Sequence, residues 1–257
     1  MKYLLSDFVD FEKTYVDDIP LYVLTPKTQE KTKKTIIFYH GWSSDAKNQI
    51  FRGNILASYG YRVVLPESRL HGERGTLSYE KAKTLKNYFP RVLMHNVEEF
   101  PKIYKFLIEN LDVDEDNIAV GGHSMGAITA GGLFTFKKNL KVALLFNGTM
   151  DWSWIANSLI EGEEEVSYER LRMNDFLIQM NPLVQADDLS DRPLILFNGA
   201  EDSVVDPNSM EKFYNEVKDK YKNKELIYFK KFEYTYHQLT TQMLEEAIRF
   251  MKEKISF

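Results

Sequence analysis

The stretch Gly121-Gly122-His123-Ser124-Met125-Gly126-Ala127 constrains this chain more than any other. Ahead of it, Asn117-Ile118-Ala119-Val120 reads as a short buried strand; after it, Ile128 to Phe136 reads as a helix rich in small residues. A serine flanked by glycines at a strand-to-helix turn is the setting in which G-x-S-x-G carries chemistry. Such a turn strains the serine backbone and lifts the hydroxyl clear of the sheet edge. Gly122 and Gly126 are expected there because a β-carbon at either place would press on the neighbouring strand or helix. A glycine-rich turn without chemistry has the same pattern, so the rest of the chain must supply partners for Ser124.

Around the turn, apolar runs alternate with helical ones. Thr35 to Tyr39, Tyr61 to Leu65, Val142 to Phe146, Pro193 to Phe197 and Leu226 to Phe232 are apolar throughout or nearly so, the mark of strands covered on both faces. Between them, Lys47 to Tyr59, Tyr88 to Leu111, Asn208 to Lys222 and Leu239 to Lys254 have helical apolar spacing. Pro101 is read as a break or a new first turn in the second of these. Phe8 to Phe11 and Tyr15 to Leu24 are read as two N-terminal strands, with Asp17-Asp18 a turn and Pro26 to Lys34 a polar connection. The alternation implies an α/β chain with a mostly parallel sheet flanked by helices.

One segment interrupts it. Gly148 to Asp191 is too long for a simple crossover. Trp152, Trp154, Ile155, Leu159 and Ile160 suggest one amphipathic helix, Glu161 to Glu165 a charged turn, and Tyr168 to Met180 a second helix. The segment is read as a small helical cap inserted over about 148–191, with packing onto the core alone as the other reading. At 257 residues and 44% hydrophobic, the chain can bury a large core, and residues 1–257 are read as one domain.

A serine hydroxyl is a poor nucleophile until a base takes its proton, and a buried acid orients that base. In elbow-type sites the order along the chain is serine, acid, histidine. After Ser124 the only histidine is His237, which follows the last strand and precedes the last helix. The loop after the strand at Pro193 to Phe197 offers Glu201, Asp202 and Asp206 as the acid. Asp206, next to Pro207, also suits the cap of a helix starting near Asn208.

In these motifs the chain resembles the α/β-hydrolase superfamily, closest to small bacterial serine esterases near its dienelactone-hydrolase and prolyl-oligopeptidase-like branches. The resemblance covers nearly the whole chain and implies an α/β-hydrolase fold. The family's acid loop often reads G-x-x-D-x-x-V, which Gly199, Asp202 and Val205 match, so it implies Asp202. It also implies an oxyanion hole of two backbone N–H groups, from Met125 after the nucleophile and from Trp42 after His40-Gly41. His71-Gly72-Glu73-Arg74 resembles a loop some of these esterases carry beside the pocket; a salt-bridged surface loop is the other reading. On this basis His71, Trp152 and Trp154 are expected at the substrate. Dienelactone hydrolases proper use a cysteine nucleophile, and this chain has no cysteine.

The expectation is therefore a carboxylic-ester hydrolase with Ser124 as nucleophile, His237 as base and Asp202 as its orienting acid, acting on a small-molecule ester. A thioesterase or lactonase would share every motif. Peptidase relatives usually carry a large extra domain that this length cannot hold, and a non-catalytic binding protein on this fold would usually have lost a triad member. No metal or cofactor is expected, since neither HExxH nor a dinucleotide GxGxxG occurs. A net charge of −5 with both signs spread along the chain gives no reason to expect a nucleic-acid partner. Missing cysteines also exclude disulfides and thiolate metal sites. No apolar run reaches membrane-spanning length, and Asp7 interrupts the short apolar start before it could serve as a signal peptide, so a cytoplasmic protein is expected.

Overall fold

The computed structural model describes residues 4–27, 34–189 and 191–257. Most of the polar connection expected over 26–34, and the first three residues of the short apolar start, lie outside the described residues.

The strands are β1 (Val9–Val16), β2 (Ile19–Pro26), β3 (Thr35–Tyr39), β4 (Arg62–Pro66), β5 (Ile118–His123), β6 (Val142–Phe146), β7 (Leu194–Gly199) and β8 (Ile227–Phe232). They form one sheet in the order β1-β2-β4-β3-β5-β6-β7-β8. From β4 through β8 all neighbours are parallel; β2 pairs antiparallel with both β1 and β4. The N-terminal strands differ from the expected ones. Asp17 and Asp18 do turn the chain, Asp17 at φ 53°, but β1 runs unbroken into the turn and Val16 pairs with Ile19. Tyr15 therefore lies within the first strand, paired with Pro20, instead of starting the second.

Successive strand residues point to opposite faces, and each face has its own helices. Ile37, Tyr39, Val120 and Leu145 pack with α2 (Ala82–Leu111), α3 (Met125–Phe136) and α6 (Pro207–Val217). Ile36, Phe38, Ala119 and Leu144 pack with α1 (Ile50–Ser58) and α7 (Thr241–Glu253). Four of the five apolar runs read from sequence are thus strands covered on both sides; the fifth forms β8 at the sheet edge, half-buried from Tyr228 to Lys231. α2 is longer than expected, starting at Ala82 and carrying Pro90 and Pro101 inside it. Pro101 does not break it. Each proline forfeits one backbone hydrogen bond, while the buried stripe Phe89, Val92, Leu93, Phe100, Ile103 and Leu107 runs across both and holds the helix on the core.

Between β6 and β7 the chain forms the two expected helices, α4 (Trp152–Ile160) and α5 (Tyr168–Gln179). With α2 and α3 they enclose a third apolar cluster that includes Phe89, Met125, Ile128, Trp152 and Leu177. Trp42 and Trp154 pack against it half-buried. No helix among the described residues is long and apolar enough to cross a membrane.

Candidate active site

Three strand ends meet at Ser124. The serine follows β5 directly and takes φ 58°, ψ −122°, a combination side-chain-bearing residues rarely adopt. Its backbone is fixed on both sides: the N–H donates to the Phe146 carbonyl at 2.9 Å, and its own carbonyl accepts from Ile128 at 3.0 Å. The flanking glycines have the steric reason expected of them. A β-carbon on Gly122 would lie 2.4 Å from the Gly126 carbonyl carbon, and one on Gly126 would lie 2.1 Å from the Tyr39 carbonyl oxygen.

His237 and Asp202 reach Ser124 from the loops after β8 and β7. His237 Nε2 is 2.8 Å from Ser124 Oγ, and His237 Nδ1 is 2.7 Å from Asp202 Oδ2. The other carboxylate oxygen, Oδ1, accepts from the Val204 and Val205 N–H groups at 2.9 and 3.0 Å. Burial pushes the Asp202 carboxyl up, but the hydrogen bonds from His237, Val205 and Val204 outweigh it and hold the group below its ordinary value. Asp202 is thus a fixed anion, its side chain sealed from solvent, while the His237 side chain keeps 19% exposure. Asp206 is elsewhere: it caps α6, accepting from Asn208 N–H at 2.9 Å. Glu201 lies exposed on the same loop.

The remaining expected residues divide. Met125 opens α3, so its N–H has no acceptor within the helix. Gly41 runs against Ser124, where a β-carbon would stand 3.3 Å from Ser124 Cβ, and this brings the Trp42 backbone beside Ser124. His71 is fully buried, its ring 4.9 Å from that of Tyr79 and 5.3 Å from that of Trp42. It therefore stands behind Trp42 and has no open surface of its own; burial pushes its imidazole down to about 4. Its loop is salt-bridged: Arg74 pairs with Glu99 and Asp18, and Glu73 with Lys13 and Lys47. Trp152 is likewise fully buried, with Gly132 leaving room for its indole. Only Trp154 of these three keeps partial exposure.

Two polar residues unnoticed in the sequence tie the site together. Asn147, at the end of β6 with φ 50°, accepts from Gly199 N–H at 2.9 Å and places its amide nitrogen 3.4 Å from His123 Nε2. It joins the acid loop to the elbow. His123 lies 5.0 Å from the His237 ring, and burial pushes its imidazole down to about 3, so His123 is neutral near neutral pH. The Asn147-Gly148 pair after an apolar strand is a turn signal that marks this position in the sequence. Asn181 ties the cap: it accepts from Trp152 N–H and donates to Asp151, which caps α4 and pairs with Lys212 on α6. A cavity of about 360 Å³ lined by Ile227, Tyr228, Glu246 and Arg249 opens at the start of β8, opposite the end that leads to His237.

Known proteins agree with this architecture. The profile of the prolyl oligopeptidase family matches residues 48–256. Esterase YjfP of Escherichia coli (strain K12) is 27% identical, over 96% of this chain and all of that protein. YitV of Bacillus subtilis (strain 168) is also 27% identical, over 83% of this chain and 86% of that protein. Among solved structures, TT1662 from Thermus thermophilus superposes with a TM-score of 0.78 at 18% identity, covering 95% of this chain and 97% of that one. The chain has the α/β-hydrolase fold that its motifs imply.

Proposed function

Since the chain belongs to the prolyl oligopeptidase family and is a hydrolase, we propose that it is a carboxylesterase working through an acyl-enzyme on Ser124. The observation that carries this is the unbroken relay from Ser124 Oγ through both nitrogens of His237 to Asp202, at 2.8 and 2.7 Å. His237 Nε2 takes the hydroxyl proton as Oγ attacks the ester carbonyl carbon. The oxygen that becomes negative is received by the N–H groups of Trp42 and Met125. His237 then gives its proton to the leaving alcohol, and water repeats the sequence to release the acid. Asp202 keeps Nδ1–H pointing at itself, which leaves Nε2 free to accept. Nothing in these steps calls for a metal or an organic cofactor.

An ester is favoured over a peptide because esterase YjfP aligns along its whole length with this chain. Thioesters and lactones present the same electrophilic carbonyl and belong to the same test. The cysteine-free sequence suits a reducing cytoplasm, where the proposal places the enzyme. p-Nitrophenyl esters of graded chain length, assayed beside thioesters and peptide anilides, should show turnover of the esters. A fluorophosphonate should label Ser124, and Ser124→Ala should abolish both signals without unfolding the protein. Labelling that persists in that variant, or preferred cleavage of peptides, overturns the proposal.

A further inference from the structure

The Trp42 N–H belongs to the same peptide group as the Gly41 carbonyl, and that carbonyl is held from behind. His40 Nδ1 lies 2.8 Å from Gly41 O. A carbonyl oxygen only accepts, so Nδ1 carries the hydrogen whichever charge the ring bears. The peptide is trans, so its C=O and N–H point in opposite directions, and fixing one aims the other. The ring that does the fixing is itself clamped. The Ser68 N–H lies 3.1 Å from Nε2, and Glu67 Oε1 lies 3.3 Å from the same nitrogen. Glu67 Oε1 in turn accepts from the Ala46 N–H at 3.0 Å. His40 and Glu67 side chains are both entirely buried. On its other side the loop is pressed against the nucleophile at Gly41.

We propose that His40, its ring held at Nε2 by the Ser68 N–H, is a positioning residue for the oxyanion hole: it holds the 41–42 peptide so that the Trp42 N–H faces the carbonyl attacked by Ser124. Donation into the Gly41 carbonyl also polarises the N–H at the far side of the same peptide, which strengthens it as a donor. Its effect is largest where the substrate oxygen is negative and small on the neutral ester. This inference rests on Ser124 being the nucleophile.

Two substitutions separate positioning from mere packing. In His40→Asn the amide nitrogen takes the place of Nδ1 and can still donate to Gly41 O. In His40→Gln the amide reaches the place of Nε2, where its oxygen can accept from the Ser68 N–H, and it abandons Gly41 O. With p-nitrophenyl acetate, below the melting range of both variants, His40→Gln should lose about 10–100-fold in kcat with KM nearly unchanged. His40→Asn should recover most of that loss. A trifluoromethyl ketone, whose carbonyl takes the Ser124 oxygen and becomes an oxyanion, should bind more weakly to His40→Gln in proportion to its lost kcat/KM. Equal losses in the two variants, or a loss in KM alone, overturn the inference. Should neither variant fold, the imidazole ¹⁵N spectrum of the wild type decides: His40 must carry a hydrogen on Nδ1, and a hydrogen on Nε2 alone overturns the inference. Failure of the esterase reading shows separately, as a wild-type protein without ester turnover or Ser124 labelling.

Discussion

The first turn of α3 meets the end of β3 backbone to backbone: a β-carbon on Gly126 would stand 2.1 Å from the carbonyl oxygen of Tyr39. The atom it would strike is main chain in a strand paired on both sides, so it cannot swing away as a long side chain would. The same contact sets how closely Ser124 and the His40-Gly41-Trp42 loop approach one another. The Ser124 turn and the proposed oxyanion donors, the Trp42 and Met125 N–H groups, are thus adjusted by one packing contact.

Gly126→Ala should therefore destabilise the protein by about 1–3 kcal/mol or more. For a chain of this size that is a fall of about 2–4 °C in Tm per kcal/mol. Fluorophosphonate labelling should slow by a larger factor than the stability loss accounts for, because the elbow is displaced from the donor loop. Thermal melting and labelling rates measured on one preparation check this; a stable variant that labels at the wild-type rate contradicts it.

The two cap tryptophans should behave differently. Trp152 is enclosed against Gly132, so Trp152→Ala should cost about 3–5 kcal/mol as a large cavity opens. Trp154 is half-buried at the edge of the cluster shared by α2, α3 and Trp42. Trp154→Ala should shift relative rates across an ester series more than it lowers Tm. Unchanged relative rates with a large fall in Tm would make Trp154 a packing residue like Trp152.

Ser124, Asp202 and His237 were legible because each sits just beyond a strand whose apolar run is unmistakable, and their order along the chain is fixed by the fold. The Gly122 and Gly126 contacts were legible for the same reason: only backbone proximity is at stake. Trp152 and His71 were harder. Aromatic character marks a residue as packed without saying against what, and both face inward against neighbours far away in the sequence. Asn147 and Glu67 escaped because a polar residue after a strand resembles any turn residue until its partners, Gly199 and Ala46, are brought beside it. The start of α2, Ala82 to Asn87, was missed because its side chains are exposed or half-buried and the buried apolar stripe begins only at Phe89.

His71 gives the fold an acid sensitivity. Burial holds its imidazole at about 4 in the folded chain, against about 6.5 for a histidine in water. Between those values the unfolded chain binds a proton that the folded one refuses, so stability falls as pH drops from about 6.5 toward 4 and is complete above that window. His71→Phe keeps an aromatic ring against Trp42 and Tyr79 and removes the titration. Its Tm should vary less with pH across the window than that of the wild type, whatever its Tm at neutral pH. Parallel Tm–pH curves for the two proteins contradict this.

Asp202 and Asp206 lie four residues apart and should fail in opposite ways. Asp202 accepts the His237 Nδ1–H through one oxygen and two backbone N–H groups through the other. An amide there can turn its NH₂ toward the ring and stabilise the tautomer whose Nε2 carries the hydrogen, which cannot take the serine proton. In the serine-protease example that exchange costs roughly 10⁴ in turnover. Asp202→Asn should accordingly lower kcat by about 10²–10⁴ with the fold intact. Asp206 instead caps α6 through Asn208 N–H. Asp206→Ala should cost about 1 kcal/mol of stability and leave kcat nearly unchanged, and Asp206→Asn, which can still cap, should cost less. Turnover at saturating substrate distinguishes them, since binding no longer contributes. A larger loss of kcat at Asp206 than at Asp202 would mean that the hydrogen bond from His237 to Asp202 does not serve the reaction.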